Sequence, residues 1–205
     1  MRSLVRGFLG APGSGKTYLM SVMASEWRRH NPELPIFSTY ELRLPGVYSV
    51  DPPGDSWGRV VNILDAHDGL LLLDEVALQL DSRLYQKTPI DLLHKLMQCR
   101  KYRLELWWST QYIEYVDKRL RLLTMETYYV GSFANLPVVG GFFATVRNRV
   151  HGSMCGWRYI RRTSGRDNLY DSWGVVRRAG YYGGESGRGG GKTLPLPVEG
   201  SRIEA

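Results

Sequence analysis

Gly10-Ala11-Pro12-Gly13-Ser14-Gly15-Lys16-Thr17 decides how this sequence is read. The stretch fits G-x-x-x-x-G-K-[ST] at every fixed position. Glycines in such a loop let successive backbone N–H groups turn inward, towards phosphate oxygens. A helix starting at Lys16 would offer its free N-terminal N–H groups and positive dipole end to the same anion. Lys16 then reaches the β- and γ-phosphates of a nucleotide, and the Thr17 hydroxyl sits on Mg²⁺. Residues 10–17 are therefore the expected nucleotide-binding set, with ATP and Mg²⁺ as the expected cofactors. A second run, Gly190-Gly191-Lys192-Thr193, fails the pattern. Ser186 stands where its first glycine is needed, and Pro195 bars a following helix.

The surroundings of the loop suit it. Residues 3–9 are largely apolar and read as a buried strand. Lys16–His30 carries Leu19, Met20, Val22, Met23 and Trp27 at helical spacing, with Arg28 and Arg29 near the end and Asn31-Pro32 as the stop. Further strands are expected at residues 35–40, 46–50, 70–73 and 104–109, and helices at 57–66, 89–102 and 116–123. Residues 82–87 read as a polar loop. Late strands are expected at 127–132 and 141–150, paired as a hairpin, and at 157–160. Strands alternating with helices imply a parallel sheet with helices on both faces. The fold class is α/β: a three-layer P-loop NTPase domain with a mainly parallel central sheet. The domain spans 1–179, with a core at 3–130 and a β-rich extension at 131–179. Residues 180–205 form a tail, whose run from Gly183 to Gly191 cannot bury a core and is expected to be flexible.

Leu70-Leu71-Leu72-Leu73-Asp74-Glu75 reads as a Walker B strand. It delivers Asp74 to the metal side of the phosphate loop. Glu75, one residue on, is the candidate to polarise the water that attacks the γ-phosphate. Leu104-Glu105-Leu106-Trp107-Trp108-Ser109-Thr110-Gln111 has the same shape, an apolar strand with a polar end. If that strand lies between the two motif strands, Gln111 comes near the γ-phosphate and can sense it. Asp51-Pro52-Pro53-Gly54 fits D-x-x-G, but no N-K-x-D occurs for guanine recognition, and Asp74-Glu75 already supplies a metal acid. A GTPase is disfavoured on that ground.

Charge is unevenly spread. Residues 1–99 hold 10 Lys and Arg against 11 Asp and Glu, whereas residues 100–205 hold 17 against 9. That asymmetry suggests an anionic partner such as nucleic acid. Lys118, Arg119 and Arg121, interleaved with Leu120, Leu122 and Leu123, are the candidate DNA-binding set. Arginines at 147, 149, 158, 161, 162, 166, 177 and 178 follow among aromatic residues, whose rings could stack on exposed bases of a single strand. Cys99 and Cys155 stand far apart, so neither a disulfide framework nor a zinc site is signalled, and both are expected as buried or half-buried thiols. Arg2 and Arg6 interrupt any leader-like stretch. The 17 residues 130–146 are broken by Asn135, Pro137 and glycines. A span needs about 20 apolar residues, so no transmembrane segment is expected and the location is read as cytoplasmic.

With the motifs placed, the chain resembles the FtsK–HerA superfamily of DNA-pumping ATPases, and within it the genome-packaging ATPases of membrane-containing icosahedral viruses. The resemblance rests on residues 10–17, on Leu71-Leu72-Leu73-Asp74-Glu75, on Asp81-Ser82-Arg83, on Ser109-Thr110-Gln111 and on Val116-Asp117-Lys118-Arg119-Leu120-Arg121. It covers roughly residues 3–130, a stretch of one-domain length. It implies a pentameric or hexameric ring moving double-stranded DNA with ATP, possible virion association at a capsid vertex or membrane-associated portal protein, and an arginine finger from the neighbouring subunit. Arg83, ahead of Arg100 and Arg103, is the candidate finger. The same motifs are similar to the zonula occludens toxin-like assembly ATPases of filamentous phages, which add a membrane span and a further domain. A small-molecule kinase and a non-enzymatic scaffold with a relic site are the other classes. The region after residue 130 has no counterpart in the packaging resemblance.

Overall fold

A computed structural model of the chain describes residues 4–50, 60–78, 90–132, 141–148, 153–161 and 169–170. Its sheet is organised around the leucine run. Leu70 and Leu72 enter one apolar cluster and Leu71 and Leu73 another, and all four are fully buried. A strand covered on both faces requires such an unbroken apolar run.

Nine strands form one sheet among the described residues: β1 (Val5–Leu9), β2 (Ile36–Ser38), β3 (Val47–Val50), β4 (Val60–Val61), β5 (Leu70–Leu73), β6 (Glu105–Thr110), β7 (Glu126–Ser132), β8 (Gly141–Asn148) and β9 (Met154–Arg161). Their spatial order is β4-β3-β2-β5-β6-β1-β7-β8-β9. Every pairing from β4 to β7 is parallel, and β8 and β9 add in antiparallel fashion. Helix α1 (Lys16–His30) lays Leu19, Met20, Met23 and Trp27 on one face. Helices α2 (Ile90–Met97) and α3 (Lys118–Leu123) lay Leu92, Leu96 and Leu120 on the other. The three layers expected from the sequence are present. Because β6 lies between β1 and β5, the loops leaving these three strands open together at the carboxyl edge, where ligands of open α/β sheets bind.

Several local expectations are corrected. Residues 60–66 hold no α-helix: Val60 and Val61 pair with Ser49 and Val50, and a 3₁₀ turn follows at Ile63–Asp65. β-Branched residues suit the ladder, and the Asn62 side chain accepts the Leu64 N–H at 2.8 Å to start the turn. Helix α2 stops at Met97, because residues 98–103 form turns closed by Arg103 in the left-handed region (φ 51°). The basic segment is helical only over Lys118–Leu123, started by the Asp117 carboxylate accepting the Arg119 N–H at 2.8 Å. Cys155 is exposed, whereas Cys99 is buried. The expected loop at 82–87 and the tail at 180–205 lie outside the described residues. Among the described residues, no helix is long and apolar enough to cross a membrane.

One polar knot sits inside the core, beside the phosphate-loop strand. The buried Glu105 carboxylate accepts from Trp27 Nε1 at 3.1 Å, Trp107 Nε1 at 2.8 Å and Arg6 Nη1 at 2.8 Å. Arg6 also donates to Glu126 at 2.8 Å, which ties β1 to both neighbouring strands. Removing one partner of a buried ion pair strands the other. Glu105→Ala is expected to lower the unfolding free energy by about 3–5 kcal/mol, measured by urea titration.

Candidate nucleotide site

The phosphate loop joins β1 to α1, and close packing requires two of its glycines, Gly10 and Gly15. Gly15 lies at φ 91°, and a Cβ there would fall inside the Phe142 ring of β8. A Cβ on Gly10 would collide with the Val130 carbonyl of β7 and the Ser14 hydroxyl. The late strands therefore brace the loop from behind, a role with no sign in the local sequence. Phe142 in turn packs against Tyr18 of α1, with ring centroids 4.7 Å apart.

Three polar side chains converge on the loop from the strand ends. Thr17 Oγ1 donates to Asp74 at 3.0 Å. Ser109 Oγ donates to the same carboxylate, while accepting the Glu75 N–H at 3.0 Å. Thr39 Oγ1 accepts the Asp74 N–H at 2.9 Å. Asp74 is thus held from β2, β6 and α1 at once. Burial pushes its carboxyl above the ordinary range, and the Ser109 and Thr17 hydroxyls and the Lys16 charge pull the other way. Lys16 is buried, and its ammonium donates to the Gly10 and Ala11 carbonyls at 2.9 and 3.0 Å. Burial draws Lys16 below its ordinary value, against the raising influence of Glu75 and Asp74.

Glu75 lies in the left-handed region at φ 46°, a conformation that non-glycine residues adopt rarely. Its carboxylate accepts from Thr110 Oγ1 at 3.2 Å and from the Gln111 N–H at 3.3 Å. The end of β6 thus aims Glu75, and Gln111, itself exposed, sits beside it. β6 lies between β1 and β5, the condition attached to the Gln111 reading.

The remaining candidates are less unified. Arg83 lies outside the described residues. Arg103 is engaged by Asp68, with Nη2 donating at 2.7 Å. Of the basic set, Lys118 is exposed, Arg121 is half-buried, and Arg119 is committed to Asp117 through contacts of 3.0 and 2.9 Å. The residues the sequence reading missed are Ser109 and Thr39. Ser109 stood in view one position before Thr110-Gln111, but a serine at a strand end gives no hint of its partner. Thr39 carried no signal at all.

The loop fits a nucleotide on its own features. Ser14 Oγ is buried with no hydrogen-bond partner among the described residues, and Lys16 is parked on the loop's own carbonyls. Thr17 and Asp74, a hydroxyl and a carboxylate, form the hard oxygen set that suits Mg²⁺.

No family model matches the chain, and no curated protein matches it. Solved structures do. The N-terminal domain of zonular occludens toxin from Neisseria meningitidis superposes with a TM-score of 0.59 at 16% identity, over 82% of this chain and 99% of that one. The genome packaging NTPase B204 of Sulfolobus turreted icosahedral virus 2, in complex with ATP-gammaS, gives 0.52 at 14% identity, over 80% and 100%. The DNA-packaging ATPase B204 of Sulfolobus turreted icosahedral virus gives 0.52 at 12%, over 78% and 98%. The chain has the P-loop NTPase fold. In this P-loop domain, β7 and the antiparallel β8 pack against the phosphate loop, at Gly10 and Gly15 respectively.

Proposed function

We propose that this P-loop domain hydrolyses ATP and uses the turnover to drive double-stranded DNA through a ring of its own copies, packaging a viral genome. The observation that carries the hydrolytic part is Glu75. Its carboxylate, aimed by Thr110 and Gln111, stands one residue beyond Asp74, the candidate metal acid. A metal-holding acid alone does not make a hydrolase, and a small-molecule kinase gains little from a second acid placed to activate water.

On nucleotide binding, Lys16 exchanges the Gly10 and Ala11 carbonyls for phosphate oxygens. Thr17 and Asp74 would hold Mg²⁺, which would neutralise charge on the phosphates. Glu75 takes a proton from the attacking water as its oxygen bonds the γ-phosphorus and the bond to the leaving ADP oxygen breaks. Gln111 orients that water. An arginine from the neighbouring copy, with Arg83 the preferred candidate, offsets charge in the transition state. Support for DNA is the excess of cations after residue 100, which grips phosphates without reading sequence. The working site would be the host cytoplasm, at a capsid vertex during packaging.

Steady-state ATP hydrolysis with and without duplex DNA, at low and moderate salt, tests the reading. Duplex DNA is expected to stimulate hydrolysis, and the stimulation to weaken as salt rises. Hydrolysis indifferent to DNA would overturn the translocase and leave an assembly ATPase with a protein partner. Slow hydrolysis with rapid transfer to an acceptor would identify a kinase.

A further inference from the structure

Inward and outward residues alternate along the late strands, with one register shift between Val146 and Arg147. Phe142, Ala144, Val146 and Ile160 face α1 and are buried. The register places their neighbours together on the opposite face: Tyr129 with Thr145 and Trp157, Gly131 with Phe143 and Tyr159, Gly141 with Arg161, and Thr127 with Arg147 and Met154. Trp157 is 67% exposed, Tyr129 41% and Tyr159 39%. Scattered single apolar side chains on a surface need no explanation, but neighbouring exposed rings on one sheet face do. Trp157 is backed by Phe143, with ring centroids 6.1 Å apart and planes at 24°. The Arg147 guanidinium lies 5.2 Å from the Tyr129 ring centroid.

Charge on this face has one sign. Neither Arg147 nor Arg161 is ion-paired among the described residues, and no acidic residue occupies this face of the three strands. Arg158 provides the contrast: it lies on the opposite face and is tied to Glu26 of α1 at 3.0 Å.

We infer that this face is a platform for single-stranded DNA, on which Tyr129, Trp157 and Tyr159 stack bases and Arg147 and Arg161 hold phosphates. Rings accept any base, because every base has a π-face, and arginines track the backbone. A duplex hides its base faces and gains nothing from exposed rings. The platform also reaches the nucleotide site. A cleft of about 620 Å³ is lined by Tyr129 and Phe143 on one side and by Pro12, Gln111, Tyr112 and Ile113 on the other. A strand on the platform thus lies one cleft away from Gln111 and the start of the phosphate loop. Only the choice of DNA over RNA rests on the proposed function.

The test is fluorescence anisotropy of the full chain, without nucleotide, against a labelled oligothymidine about 16 nucleotides long, a duplex of equal length and an oligouridine. Reading binding without nucleotide separates this result from the fate of the ATPase reading. Oligothymidine is expected to bind more tightly than the duplex. Trp157→Ala and Tyr129→Ala are each expected to weaken it at least about fivefold, with thermal melts unchanged. Arg147→Ala is expected to flatten the salt dependence. Equal or tighter duplex binding, or wild-type affinity in the ring variants, would overturn the platform. Tighter oligouridine binding would overturn the choice of DNA. If Trp157→Ala instead lowered the mass of the assembly and left affinity unchanged, the face would be a contact between copies of this chain.

Discussion

Glu75→Gln is expected to lower steady-state ATP hydrolysis by about 100- to 10,000-fold, while nucleotide affinity stays at the wild-type level. The amide keeps the size of the side chain and an oxygen that can accept from Thr110 Oγ1 and the Gln111 N–H, now at 3.2 and 3.3 Å. It also keeps the unusual φ of 46° at this position, since that conformation belongs to the backbone after β5. What it loses is the capacity to take a proton from water. Neither Lys16 nor Thr17 contacts the Glu75 carboxylate through a hydrogen bond, so nucleotide binding is left to groups the substitution does not touch. Nucleotide affinity from fluorescence titration, set beside the turnover rate, checks both halves. Retained turnover would place the base elsewhere. Lost affinity together with lost turnover would make Glu75 a structural partner of the β6 end.

The first half of this site was legible because its elements are local and strongly patterned. Helix α1 occupies the residues its apolar spacing indicated, and β5 coincides with the four leucines. Both have one physical solution: a 3.6-residue stripe over a sheet, or a run buried on two sides. Gln111 was legible only conditionally, since its place depends on β6 entering between β1 and β5, a long-range fact that no window of sequence contains. The helix expected around residue 60 failed where two valines met the edge of a growing sheet. Tertiary pairing overrode a weak local preference. The bracing of the phosphate loop by Val130 and Phe142 was invisible for a similar reason: those residues are more than a hundred positions from Gly10 and Gly15. Arg119 shows the opposite limit. Composition offered it as a free cation, but the Asp117 that starts its helix also binds its guanidinium.

Asp74→Asn is expected to abolish hydrolysis and, in the same molecule, to raise the melting temperature of the ligand-free protein. The two effects share one cause. Asp74 is buried, and burial raises its carboxyl pKa despite donors on Ser109 and Thr17 and the nearby Lys16 charge. A carboxyl with a raised folded-state pKa binds its proton more tightly folded than unfolded. Stability therefore falls as pH climbs from the ordinary carboxylate value of 3.8 through the raised one. The neutral amide escapes that loss, so its advantage should grow with pH and vanish in acid. A rise of about 2–4 °C at neutral pH corresponds to ~1 kcal/mol in a chain of this size. The amide oxygen still accepts from one of the two hydroxyls, and the other must turn away. Asp74→Ala differs in leaving both hydroxyls and a cavity unpartnered, and it is expected to lower the melting temperature. Both variants should lose the further stabilisation that Mg²⁺ with nucleotide is expected to give the wild type, because binding to the folded state would supply it. Scanning calorimetry across pH, with and without the ligand pair, separates the cases. If Asn destabilised the ligand-free protein as Ala does, the carboxylate would be an ordinary structural acceptor. If Asn stabilised it and silenced the ligand effect, the buried charge is retained at a cost to folding that only the bound metal offsets.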